Sequence, residues 1–397
     1  MKALSLVSWG MVMLAPALFA YAYFVYPLLL RVCPWVRPFK YGADPISIAS
    51  DDAWPFVSIS LPAFNEESRL GDTLESLLSL DYPSDRMEIV VISDASTDRT
   101  DEIAAGYSGR GVRLIRLPER GGKVAAENFG ASALKGTLVV NTDATIRIPP
   151  DSLKPLIRPF KSPEIGVASG RDISVAAGES ETNQAESGYV GYEMRVRELE
   201  TRAGGIVGAS GCFYAIRAEL HRPPFPPHLS RDFASCLVAR EHGLRSVSVN
   251  DAVCYVPRTA SIAREYRRKV RTMARGLATL TYKRHLLNPF RHGLFAWKLF
   301  SHKLARWLVP ITAPLMLVGL SILVLTTEEV LPVYMLLGGL VAALLGLGGM
   351  RASWTEKAPN LLSSLGYVFA ANLAGIAAWG QFIRGTRSAL WEPTRRG

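Results

Sequence analysis

Val57-Ser-Ile-Ser-Leu-Pro-Ala-Phe-Asn-Glu66 and, a short spacer later, Glu88-Ile-Val-Val-Ile-Ser-Asp-Ala-Ser-Thr-Asp98 decide the fold class of this chain. Each is an apolar run that stops abruptly in polar residues. Val57, Ile59 and Leu61 alternate before Pro62, and Ile89 to Ile92 form an unbroken β-branched run ended by Ser93-Asp94. Both read as buried strands that deliver acids to one sheet edge. Between them Leu70, Leu74, Leu77 and Leu78 recur at helical spacing within residues 67–80, and Asp81-Tyr-Pro83 is a stop signal. Strand, helix, strand with a right-handed crossover makes the strands parallel. Asn65-Glu66 and Asp94 then face each other at the carboxyl edge, where open α/β sheets bind ligands. The expected class is α/β, a mostly parallel sheet flanked by helices.

The composition adds a membrane. Of 397 residues 49% are hydrophobic and 20% charged, and the mean hydropathy is positive, more apolar than is usual for a soluble protein of this size. The excess is concentrated in four uncharged segments, 4–30, 308–327, 330–350 and 358–383, each long enough for about 30 Å of hydrocarbon. The first reads as a span and not a cleaved signal peptide, although Lys2 and Ala20-Tyr-Ala22 allow the latter, because its apolar run continues to Leu30. Arg31, Arg37 and Lys40 outnumber Lys2, so the residues after it should face the cytoplasm, on the inner (plasma) membrane. The expected organisation is an anchor (1–32), a linker (33–54), a cytoplasmic domain (55–260), amphipathic interfacial helices (261–303), a membrane region (304–385) and a basic tail (386–397). The fourth segment stays open between spanning, re-entrant and interfacial. Asn360, Ser363, Ser364, Asn372 and Gln381 make it the most polar, and three passes would put Arg384, Arg387, Arg395 and Arg396 on the outer side.

A net charge of +10 invites a nucleic-acid partner. Placement argues against one. The bases cluster over 264–284 and 292–306, next to the second span, where they suit anionic lipids. Residues 262–287, with Tyr266, Val270, Met273, Leu277 and Leu280 among the bases, read as an amphipathic helix lying on the membrane. Cys33, Cys212, Cys236 and Cys254 are far apart, without metal-ligand spacing, and read as reduced, buried small hydrophobes.

Five further stretches carry chemistry. Arg120-Gly-Gly-Lys-Val-Ala-Ala-Glu-Asn-Phe-Gly130 opens a short helix behind a double glycine, whose amide-rich start can approach a phosphate. Leu138-Val-Val-Asn-Thr-Asp-Ala-Thr-Ile146 is a buried strand ending in an acid. Gly208-Ala-Ser-Gly-Cys-Phe-Tyr-Ala-Ile-Arg217 is a glycine-rich strand, followed by Ser230-Arg-Asp232 at a helix start. Arg268-Lys-Val-Arg-Thr272 lies in the basic amphipathic stretch.

Taken in order over roughly residues 55–280, these motifs resemble the membrane-integrated, inverting family 2 glycosyltransferases with a GT-A fold, the group of cellulose, hyaluronan and chitin-oligosaccharide synthases. The resemblance implies that Asp94 binds the nucleotide base, supported by Pro62, Ala63, Asn65 and Glu66. It implies that Lys123 contacts the donor diphosphate and that Asp143 holds Mg2+ or Mn2+. Two registers are open for the metal motif: Asp143 first with Thr145 replacing the second acid, or Asn141 first with Asp143 second. Asp232 maps onto the catalytic base, beside an acceptor pocket containing Gly211, Cys212 and Arg231. Arg271, with Arg268, would pair with diphosphate. Ser93, Thr145, Arg231 and Thr272 depart from the family pattern, the last replacing a tryptophan that stacks on the acceptor in processive synthases. The implied activity moves a sugar from a nucleotide donor, most commonly a UDP-sugar in the family, to a lipid-linked, saccharide or membrane-surface acceptor in exopolysaccharide or glycolipid synthesis. A processive, translocating synthase is the alternative, and a catalytically silent assembly subunit is the second.

Overall fold

A computed structural model describes residues 2–32, 54–175, 181–257, 262–353 and 360–385. Most of the expected linker and the basic tail lie outside these residues. Contacts divide the chain into a sheet unit, residues 34–177, 187–258 and 387–397, and a helical unit, residues 1–33, 178–186 and 259–386.

The chain enters through helices α1 (Lys2–Ala20) and α2 (Tyr26–Val32), joined by a π-helical turn, and then builds the sheet unit. Its strands are β1 (Val57–Ala63), β2 (Met87–Ser93), β3 (Val112–Arg116), β4 (Leu138–Thr142), β5 (Ile165–Val175), β6 (Phe213–Arg217) and β7 (Arg245–Pro257). Its helices are α3 (Leu70–Leu78), α4 (Thr100–Gly106), α5 (Lys123–Gly130), α6 (Leu153–Ile157), α7 (Glu181–Arg202, from residue 187 on), α8 (Ala218–His221) and α9 (Arg231–Glu241). The strands lie in the order β3-β2-β1-β4-β6-β5-β7. β1 pairs parallel with β2 and β4, while β6 runs antiparallel to both β4 and β5. All strands but β6 therefore end at the same edge.

The alternation in β1 and β4 sorts side chains to two faces. On one, Ile59, Leu61 and Val140 pack with Leu70, Leu74 and Leu77 of α3 and with α6. On the other, Val90, Ile92 and Val139 pack with Ala126 of α5 and with Cys236 and Ala239 of α9. Burying each such leucine or isoleucine contributes about 1.5–3 kcal/mol. Pro62 is tolerated within β1 because pairing with β4 stops at Ser60, so its missing N–H interrupts no ladder there. Cys236 and Cys254 are buried as expected, and Cys212 is half-buried.

The helical unit holds α10 (Ile262–Tyr282), α11 (Pro289–His292), α12 (Leu294–Leu299), α13 (Ala305–Thr326), α14 (Leu331–Ser353) and α15 (Asn360–Ile383). Three helical stretches are long and apolar enough to cross a membrane, Lys2–Val32, Leu294–Thr326 and Leu331–Ala352. The second begins well before the expected residue 308. Lys298 and Arg306, which sequence placed at an interface, are buried in this helix at 2% and 6% exposure, and the Arg306 guanidinium lies over the Tyr23 ring. The fourth uncharged segment forms α15, and the expected surface helix α10 packs on it: Val270 is buried with Ala374 and Ala378. Part of the apolar stripe of α10 thus finds protein.

Candidate active site

The site is built at the carboxyl edge, from turns that side chains hold open. Asn65 follows β1 with φ 52°, a left-handed conformation asparagine tolerates better than most residues. Its Oδ1 accepts from Thr97 N at 2.8 Å, and its own N–H donates to Ser96 Oγ at 3.2 Å. Glu66 is buried, and its N–H donates to Thr100 Oγ1 at 2.8 Å. These bonds lock the turns after β1 and β2 together. Phe64 offers its ring to Arg120, 3.9 Å from guanidinium carbon to centroid, a cation–π contact.

Asp94 accepts from two backbone amides, Gly121 N at 2.7 Å and Gly122 N at 2.8 Å. This clamp fixes the turn that launches α5. Gly122 has φ 90°, which favours glycine, and a Cβ on Gly121 would stand 2.7 Å from Ala125 Cβ. Lys123, next in the chain, reaches the end of β4: its Nζ donates to Asp143 Oδ1 at 2.5 Å and to Gly211 O at 3.2 Å. Burial penalises the Lys123 ammonium, but Asp143 and Glu127 outweigh it and hold the pKa above its ordinary value.

Gly211 connects this pair to the last acid. A Cβ there would lie 3.0 Å from Asp232 Oδ2, close enough that the carboxylate would have to shift by a few tenths of an ångström. Ser230 Oγ donates to Asp232 Oδ1 at 2.6 Å and orients it. We expect Gly211→Ala to push this carboxylate aside and lower kcat roughly tenfold or more, with the nucleotide-sugar KM little changed. Steady-state kinetics beside a melting curve checks this, and a parallel fall in stability and binding would speak against a local effect.

Several candidates sit differently from expectation. Asn141 is fully buried, and its Oδ1 lies 3.0 Å from His221 Nε2. That removes the register in which Asn141 would be the first metal ligand. Burial, with Arg231 nearby, holds the His221 pKa well below the ordinary imidazole value, so this partner is neutral. Arg231 turns inward, 6% exposed, donating Nη1 to Asn128 Oδ1 at 2.7 Å and Nη2 to His221 O. It braces α5, α8 and α9 and offers its guanidinium to neutral acceptors in the interior. Thr145 lines a cleft of about 150 Å3 with Arg69, Asp72, Arg147 and Tyr255. Cys212 donates its N–H to Ser210 Oγ at 3.2 Å, and that hydroxyl donates to Asp172 Oδ1 at 2.5 Å. Arg268 and Arg271 belong to α10 of the helical unit, where Arg268 makes two 2.8 Å bonds to the buried Glu265.

Asp143 thus brings one hard carboxylate to the edge, and among the described residues no cluster of three acids, histidines or cysteines accompanies it. Such a site suits Mg2+ or Mn2+ when phosphate oxygens and water complete the shell, the usual habit of these ions at substrate phosphates. Two groups of this site went unread in the sequence, Glu127 and Asn128 on α5. A glutamate one turn from Lys123, on a helix whose Val124, Ala126 and Gly130 are buried, was the available signal.

Residues 58–222 match the family model Glycosyl transferase family 2. The β-monoglucosyldiacylglycerol synthase of Synechocystis sp. is 35% identical over 196 residues, 48% of this chain and 40% of that protein. The poly-β-1,6-N-acetyl-D-glucosamine synthase of Staphylococcus epidermidis is 31% identical over 163 residues, 40% of this chain and 38% of that one. The chain therefore spans about two fifths of the length of these relatives. The mannosyltransferase PcManGT from Pyrobaculum calidifontis, solved with GDP-Man and Mn2+, superposes with a TM-score of 0.67 at 22% identity, over 95% of this chain and 99% of that one. That likeness concerns the fold. The fold is GT-A-like, and within it residues 58–222 are similar to the glycosyl transferase family 2 domain whose model they match.

Proposed function

We propose that this protein is an inverting glycosyltransferase that moves a sugar from a nucleoside diphosphate donor to a hydroxyl of a lipid-linked or membrane-surface acceptor. One observation carries the reading: around Gly211, the Lys123–Asp143 pair and Asp232 come together from three distant parts of the chain. The first is suited to a diphosphate and the second to a proton.

In this reading the turn at Pro62, Ala63, Asn65, Glu66 and Asp94 receives the nucleoside, and Lys123 binds the diphosphate as a charge-assisted donor. Asp143 would hold a divalent cation, whose contribution when bound is to neutralise the departing diphosphate. The acceptor oxygen attacks the anomeric carbon as the bond from that carbon to the phosphate oxygen breaks. Asp232 takes the hydroxyl proton, and the nucleoside diphosphate leaves with the bonding electrons. A UDP-sugar donor is proposed from the family resemblance. The likeness to a glycolipid synthase and the three apolar helices support a membrane enzyme, and the excess of Arg31, Arg37 and Lys40 over Lys2 favours a cytosol-facing domain. Thr272, in place of the stacking tryptophan, favours transfer of one or a few sugars over processive synthesis.

The test is nucleotide release from membranes containing the protein, against a panel of sugar nucleotides with and without Mn2+. Release with one donor, dependent on Asp232 and on an added lipid extract, is the expected result. Silence with every donor would leave the assembly-subunit reading in its place, and a ladder of product lengths would favour a processive synthase.

A further inference from the structure

β5 and β6 separate just before they reach the site. They pair only where Val167 to Ser169 lie opposite Ile216 to Tyr214, and beyond Ser169 β5 continues on β7 alone. β6 begins at Phe213, so residues 210–212 lie outside the ladder, where the two strands diverge. Side chains have to hold this turn. It is also shared by the groups of the proposed chemistry, since Gly211 O accepts from Lys123 Nζ and Gly211 lies against the Asp232 carboxylate.

Two residues of β5 hold it. Ser169 Oγ accepts from Ser210 N at 2.8 Å, and Asp172 Oδ1 accepts from Ser210 Oγ at 2.5 Å. Ser210 is buried, and its hydroxyl accepts in turn from Cys212 N at 3.2 Å. Across the ladder Cys254 donates its thiol to the same Asp172 oxygen at 3.4 Å. Residues three apart on a regular strand project to opposite faces, so Ser169 and Asp172 would not both reach one serine. An irregularity brings them there. The register of β5 on β7 shifts between Ser169 and Arg171, a break of the kind that re-aims a side chain beside an active site. Gly170 occupies the shift, and a Cβ on it would stand 2.6 Å from Phe213 Cδ1 and 2.8 Å from Ala252 O.

We propose that Asp172 is a positioning residue for the transfer reaction, fixing through Ser210 the 210–212 turn against which Lys123 and the base Asp232 are aligned. This rests on the function proposed above. Asp172 acts through the turn and needs no contact with either substrate. Without its carboxylate the buried Ser210 hydroxyl loses its acceptor, and an unmade bond in the interior is costly. Gly211 then shifts, and small displacements at a reacting centre cost rate out of proportion to their size. The clamp of Asp94 on Gly121 and Gly122 does not run through this turn, so the nucleotide side should be little affected.

The first readout needs no turnover. Membranes containing wild type, Asp172→Ala, Asp172→Asn or Ser210→Ala are treated with iodoacetamide, and alkylation of the half-buried Cys212 is followed by peptide mass spectrometry, with the buried Cys236 as internal control and melting curves for folding. We expect Cys212 to react roughly tenfold faster in Asp172→Ala, the worth of one hydrogen bond to a charged group. Ser210→Ala removes the same bond from the donor side and should match it. Asp172→Asn keeps an oxygen for the serine and should stay within about threefold of wild type. The second readout is steady-state kinetics with the donor found in the release screen. There kcat should fall roughly tenfold or more in Asp172→Ala with the nucleotide-sugar KM within about threefold, and Asp172→Asn should recover most of the loss. Equal Cys212 rates in wild type and both alanine variants, or faster rates with kcat unchanged, overturn this proposal and leave the functional reading standing. A wild type that turns over no sugar nucleotide overturns that reading, and this proposal with it.

Discussion

Asp232→Asn is expected to lower kcat by about 10²–10⁴-fold, the usual contribution of a positioned general base, with KM for the nucleotide sugar within about threefold of wild type. The substitution keeps the shape against Gly211 and the bond from Ser230, so it removes proton affinity and little else. In the proposed reading the nucleotide side rests on other residues, Lys123 and Asp143, and should hold the donor as before. Steady-state kinetics with the donor identified by the release screen checks this. A variant that turns over like wild type would remove Asp232 from the chemistry and favour a binding or assembly role for the chain.

Lys123 and Asp143 should fail in different ways. Lys123→Ala is expected to raise the nucleotide-sugar KM by roughly 10–100-fold, the worth of one charge-assisted contact to a diphosphate. It also frees the Asp143 oxygen that the ammonium now holds at 2.5 Å. The divalent cation giving half-maximal activity should therefore fall or stay level. Asp143→Asn should instead raise that concentration by tenfold or more, because a neutral amide is a poor ligand for a hard cation. The double variant should lose less than the sum of the two, since the residues share one contact. A metal titration of all three decides the matter. Unchanged metal dependence in Asp143→Asn would remove the cation from this site.

How far these residues could be read in advance depended on where their partners lie. β1, β2 and β4 were legible because a buried strand writes itself as a short β-branched run, and their acids fall at its end by chain continuity. α3 was legible from its leucines, although it starts at Leu70, not at 67. Glu66 and Glu67 are occupied with Thr100 and Arg99 across the turn, contacts between residues more than thirty apart. The inward turn of Arg231 and the diversion of Asn141 to His221 were illegible for the same reason. Each depends on a partner from another element, with no periodicity to announce it.

Sequence by itself determined the parallel sheet edge, the order of its motifs and the uncharged segments, since these follow from local pattern, while the roles proposed for Asp94, Lys123, Asp143 and Asp232 rest on the family resemblance. Tertiary structure alone decided that Lys123 grips Asp143, that Gly211 makes room for Asp232, and that Glu127 is buried. Such outcomes depend on which side chains packing shuts away from water, where an unpaired charge becomes expensive and a single neighbour sets its state.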